Sequence, residues 1–133
     1  MNEKKVKKLI NLAKKARKNS YAPYSDFPVG AALLSREGEI FTGSNIENVS
    51  YGLSNCAERT AIFKAVSEGF TKFKAIAVVA DTQRPIPPCG SCRQVIYEFG
   101  ENITIIMSDL NNQYTKKRII ELLPGGFARK DIR

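Results

Sequence analysis

Residues 75–80 read AIAVVA, six apolar positions in a row with no polar face. A run that short and that uniform fits a β-strand covered on both sides, and such cover requires helical layers above and below. The flanking segments supply them. From Cys56, the residues Ala57, Ala61, Ile62, Ala65 and Val66 share one helical face, and Gly69 suits the stop. From Cys89, the residues Val95, Ile96 and Phe99 make a second face, closed by Gly100. Upstream, residues 29–34 form another buried strand, SREGE is a turn, and residues 40–43 resume the extended pattern, which predicts a hairpin. Residues 104–107 are a further buried strand, and KKRIIELLPGG predicts a short terminal helix stopped by Pro124. Helices alternating with buried strands make an α/β sandwich, and the hairpin makes its sheet mixed. With 133 residues and 43% apolar content the chain supports one core, so residues 1–133 are expected to form a single domain.

The formal charge of +8 is unevenly placed. Residues 1–18 hold eight Lys and Arg against one Glu, so the remaining 13 cations nearly balance 12 acids. In that segment Val6, Leu9, Ile10, Ala13 and Ala16 recur at helical spacing with lysines between them. This predicts an amphipathic helix with a solvated outer face, weak attraction of anions or RNA being the lesser alternative. No apolar run is long enough to span a membrane and the lysine-rich start is unlike a secretory signal, so the expected address is the cytoplasm.

The chain has three cysteines, Cys56, Cys89 and Cys92, and no histidine. An odd count without a signal argues against a disulfide scaffold and leaves metal binding, redox chemistry or inert burial. Without histidine, any zinc site must be built from thiolates and carboxylates. Cys89 and Cys92 share a face at a helix start, where free backbone N–H groups favour thiolates. Cys56 also opens a helix, and two helices leaving one edge of a sheet can bring their N-termini together. Three thiolates on one zinc keep a fourth position open for water, as catalytic sites do. A closed structural zinc site with another ligand, a redox CxxC and three unrelated buried cysteines are the alternatives. Glu58, two positions beyond Cys56, can enter the same pocket without coordinating and move protons between water and substrate. Three thiolates around a dication leave a charge of −1, and Arg59 is either a donor to the sulfurs or a surface residue.

CAER followed by PCGSCRQ resembles the zinc-dependent cytidine deaminases, specifically the small homotetrameric form with three cysteine ligands. YAPYSDFPVGAALL, GSNIENVSYG and ELLPGGF are similar to that family's segments in its order, so the resemblance runs from Tyr21 to Phe127. It implies a three-layer α-β-α sandwich around a mixed five-stranded sheet, with one Zn2+ per subunit held by Cys56, Cys89 and Cys92. It also implies hydrolytic deamination of cytidine and deoxycytidine in pyrimidine salvage. Hydroxide at the zinc attacks C4 while Glu58 carries the protons, and ammonia leaves. By the same resemblance, Asn45 and Glu47 hold the ribose hydroxyls, Ala57 joins the substrate-binding residues and Phe27 packs on the pyrimidine. Phe127 resembles the aromatic that a neighbouring subunit inserts, which implies a homotetramer with shared sites. Both phenylalanines also have an ordinary core reading. A carboxylate at position 47 favours a free nucleoside over a nucleotide, because it repels a 5′-phosphate. Competing readings are a deaminase of a cytosine-containing antibiotic such as blasticidin and a nucleic-acid-binding module with a structural zinc. A polynucleotide deaminase is disfavoured because such enzymes present a His ligand.

Overall fold

The computed structural model describes residues 1–132, and its elements follow the apolar pattern closely. Helix α1 (Glu3–Arg17) starts at Asn2, whose side-chain oxygen accepts from the Lys5 N–H at 2.8 Å. Its Val6, Leu9, Ile10 and Ala13 are fully buried, and its lysines ride on the outer side. Strands β1 (Val29–Ser35) and β2 (Ile40–Ser44) form the expected hairpin. Then α2 (Ala57–Ser67), β3 (Phe73–Ala80), α3 (Gly90–Tyr97) and β4 (Thr104–Ser108) alternate as the sequence predicts. The sheet order is β2-β1-β3-β4-β5, with β3 and β4 parallel and the other neighbours antiparallel. The sheet is mixed and five-stranded.

Strand β3 shows why AIAVVA has no polar face. Its Ala75, Ala77 and Val79 pack with the buried face of α1, while Ile76 packs with Ile62 of α2 and Ile96 of α3. One helix covers one side of the sheet and two cover the other, which gives the three layers.

The C-terminal region corrects the sequence reading. A helix was expected from Lys116, but Tyr114–Arg118 is an edge strand, β5, and the helix α4 is confined to Ile119–Leu122. The cause is the backbone of β4, whose outer N–H and C=O groups need partners and find them along residues 114–118. An edge position lets lysines stay solvated while their backbone pairs. A 3-10 turn at Tyr51–Leu53 was also not foreseen.

Two glycines let helices lie directly on the hairpin. A Cβ on Gly30 would sit 1.9 Å from the Ala13 carbonyl oxygen, and one on Gly43 would sit 2.6 Å from the Ala61 backbone nitrogen. Gly30→Ala therefore pushes α1 off β1, and we expect a loss of about 3 kcal/mol, the upper end of ordinary overpacking penalties. Urea unfolding checks this, and an unchanged midpoint would show that α1 yields freely. Gly43 matters for function as well, since it seats α2, the helix that begins beside Cys56. No helix among the described residues is long and apolar enough to cross a membrane.

Candidate active site

Cys56 is the N-cap of α2 and Cys89 the N-cap of α3, so each thiol sits where a helix presents unpaired N–H groups. Cys92 lies in the first turn of α3 and is fully buried. The three sulfurs all lie within 4.8 Å of one another, and those of Cys56 and Cys89 are 3.7 Å apart. A disulfide needs about 2.05 Å. Two thiolates each bonded to one tetrahedral zinc stand about 3.8 Å apart, so the spacing fits a shared ion. Among the described residues no fourth protein donor joins the group, which leaves one coordination position for a small molecule.

The groups around these sulfurs favour one thiolate, at Cys56. Hydrogen bonds from Cys92 first, then from Arg59 and Cys89, pull the Cys56 thiol down to about 5. The Cys56 thiolate and burial push Cys92 the other way. The Cys56 and Cys92 sulfurs thus compete for one negative charge, and a dication beside them would end the competition. Arg59 is not a surface residue here: its Nη2 donates to the Cys56 sulfur at 3.3 Å and its Nε is buried.

Glu58 is 4% exposed, and burial, reinforced by the Cys56 charge, pushes its carboxyl up to about 7. A carboxyl in that range can both accept and donate a proton near neutrality. It lines a cavity of about 320 Å³ together with Phe27, Asn45, Glu47, Cys56, Ala57 and Cys89. A larger depression of about 560 Å³ lies beside Lys14, Lys15 and Lys18, but only the smaller one gathers thiols and a buried carboxyl.

The NIEN segment is locked to the cysteine by its backbone. Ile46 exchanges hydrogen bonds with Asn55, the residue before Cys56, at 2.9 and 2.8 Å. Its two polar side chains are largely engaged already. Asn45 Oδ1 accepts from the Ser20 hydroxyl and from the Val29 N–H, and Nδ2 donates to the Phe27 carbonyl at 3.0 Å. Glu47 Oε1 accepts from the Tyr24 and Ser25 N–H groups at 2.9 and 3.1 Å, and Oε2 accepts from the Ser25 hydroxyl. The Ser25 hydroxyl, backed by those N–H groups, holds Glu47 below the usual carboxylate range. One N–H of Asn45 and one lone-pair direction of Glu47 stay free, a donor and an acceptor on adjacent cavity walls.

Of the residues singled out in the sequence, Cys56, Cys89, Cys92, Glu58 and Arg59 converge, and Phe27, Asn45, Glu47 and Ala57 line the adjoining cavity. Phe127 does not join them. It is 60% exposed, so an ordinary core role does not hold for it. Ser25, Val78, Ile86 and Pro87 also line the cavity and were not singled out. The run TQRPIPP, ending one residue before Cys89, was the available signal for two of them.

Residues 3–108 match the family model for the cytidine and deoxycytidylate deaminase zinc-binding region. The chain belongs to that deaminase family. A cytidine deaminase of Sporosarcina psychrophila is 53% identical over 128 residues, covering 96% of this chain and 94% of the relative. One from Halalkalibacterium halodurans is 54% identical over 125 residues, covering 93% and 95%. The crystal structure of a cytidine deaminase from Burkholderia pseudomallei matches with a TM-score of 0.89 at 46% identity, covering 96% of this chain and 100% of that one. The five-stranded α/β sandwich is therefore the fold of this deaminase family, and the three-cysteine set fits one Zn2+ per subunit.

Proposed function

We propose that the protein hydrolyses cytidine and deoxycytidine to uridine and deoxyuridine with release of ammonia, as a step of pyrimidine salvage. The observation that carries this reading is a buried carboxyl, Glu58, set beside three convergent thiols at one wall of a nucleoside-sized cavity. Cys56, Cys89 and Cys92 would hold a zinc ion, which would supply Lewis acidity to make water nucleophilic near neutral pH. Glu58 would take a proton from the attacking water and deliver it to the ring nitrogen N3 as C4 is attacked. It would then take the remaining proton of the hydroxyl added at C4 and pass it to the departing amine, so that water and cytidine give uridine and ammonia. Arg59 offsets the surplus thiolate charge through Cys56. Phe27 offers a ring to the pyrimidine, Ala57 closes the cavity beside Glu58, and the free groups of Asn45 and Glu47 suit a sugar diol.

The Glu47 carboxylate, held below the usual carboxylate range, supports a preference for nucleosides, since its charge repels a 5′-phosphate that comes close. Ultraviolet loss on incubation with cytidine, with CMP in parallel and zinc measured on the same sample, tests this directly. Conversion of cytidine alone is the expected result. Equal turnover of CMP contradicts the role of Glu47, and no turnover at full zinc redirects the site to modified cytosine nucleosides.

The working form in this reading is a cytoplasmic homotetramer, each chain forming one catalytic unit. Its support is apolar surface that one chain leaves uncovered: Val49, Tyr51 and Leu53 are more than 70% exposed, Tyr51 in a depression that shares Ser25 and Glu47 with the cavity, and Phe127 is exposed too. The three free thiols suit a reducing compartment. If a neighbour donates Phe127, then Phe127→Ala raises KM for cytidine about tenfold, the worth of one base–aromatic stack, without loss of zinc. Exchanging its subunits with those of Glu58→Gln should create sites of parental KM. A mixture that keeps the high KM returns Phe127 to its own chain.

A further inference from the structure

We propose that Gln94 is a positioning residue, which fixes the Phe127 ring for insertion into the neighbouring subunit's cavity. The inference rests on the reading of Phe127 as a donated residue and asks what holds that residue in place.

Nothing in regular structure does. Residues 123–128 lie between α4 and a 3-10 turn at Arg129–Asp131, and Gly125 has a φ of +67. The segment is pinned instead by two consecutive side chains of α3. The Arg93 guanidinium donates to the carbonyls of Pro88 and Leu122, both at 2.8 Å. The Gln94 amide donates to the Phe127 carbonyl at 2.7 Å. Between these anchors Gly126 presses on α3, since a Cβ there would lie 3.0 Å from Tyr97 Cε2. Beyond them the Ala128 N–H donates to Asp131 at 2.7 Å. Of these contacts, only the bond from Gln94 reaches the residue that carries the ring, and the ring itself is left to solvent. A carbonyl held at 2.7 Å fixes the peptide plane next to the Phe127 Cα, and with it the direction in which the ring leaves the surface. Gln94 stands two positions after Cys92. One helix therefore mounts two of the three thiols of its own site and holds the aromatic lent to another.

The test compares Gln94→Met, which keeps the volume and loses the donor, with Phe127→Ala and the double variant. Gln94→Met should raise KM for cytidine about fivefold, the usual cost of one hydrogen bond, with zinc content and kcat near the parent's. The double variant should be no worse than Phe127→Ala alone, because two residues acting through one contact are not additive. Gln94→Lys, which keeps an N–H donor, should leave KM close to the parent's. Amide exchange across residues 125–130 should quicken in Gln94→Met and not in Gln94→Lys, a readout independent of turnover.

Additive losses in the double variant would assign Gln94 a general structural role and overturn the proposal. So would an unchanged KM in Gln94→Met where Phe127→Ala is impaired, and that pattern leaves the donated ring intact. An unchanged KM in Phe127→Ala removes both. Should Gln94→Met fold poorly, Gln94→Glu, which sets a carboxylate against the carbonyl, must show the same KM effect and faster exchange for the proposal to stand.

Discussion

Glu58→Gln lowers kcat by about two to four orders of magnitude, the contribution of a positioned general acid and base, while zinc and nucleoside binding persist. Glutamine matches the carboxyl in shape and fits the same buried place on α2. What it lacks is a proton that can leave and return. The side chain is 4% exposed, so bulk water cannot easily take over the transfer. Pre-steady-state absorbance with metal analysis on the same preparation separates the outcomes. A variant that keeps most of its rate removes Glu58 from the proton path, and a variant without zinc shows that Glu58 supports the thiols instead.

Cys89→Ala loses the metal, and turnover falls to background. Two sulfurs cannot hold zinc as three do, and no other protein donor joins the group among the described residues. The fold should survive, because both core clusters are built from the sheet and the helix faces and neither contains the three thiols. Chelation of the parent protein should act in the same way: turnover is lost, the far-ultraviolet spectrum is kept, and zinc restores activity. Thiol reagents supply a second readout. Cys56, drawn down to about 5 by its neighbours, reacts quickly once the metal is gone and slowly before. Full zinc occupancy in Cys89→Ala contradicts the ligand assignment, and collapse of the secondary structure on chelation makes the metal structural.

Most of the fold was legible because its signals are local. An apolar run such as residues 75–80 carries its double cover in its own composition, and Gly69, at a φ of +96, ends α2 where a left-handed residue is needed. Strand β5 was not legible, because Tyr114–Arg118 is chosen by the unpaired backbone of β4, and residues 115–118 are exposed. In the site, Cys56 and Glu58 stood out because a ligand and a proton carrier two positions apart at a helix start is a chemical pattern. Val78 carried no such mark: it reads as any strand valine and reaches the cavity only through tertiary placement. The partners that occupy Asn45 and Glu47 come from residues 20–29, a relation between distant segments that spacing does not encode. Phe127 was legible through family resemblance alone, since its neighbours in its own chain give it no cover.

Strand β5 has a bearing on how copies of the chain can meet. Lys116 and Lys117 project to opposite sides of an exposed sheet edge, so a second edge brought alongside would face cations above and below. Growth of the sheet from chain to chain is thereby discouraged, and with it the ordered stacking that leads to fibres. In the proposed homotetramer, contact between chains would then fall on surfaces away from this edge, where a closed assembly can form without end-to-end polymerisation.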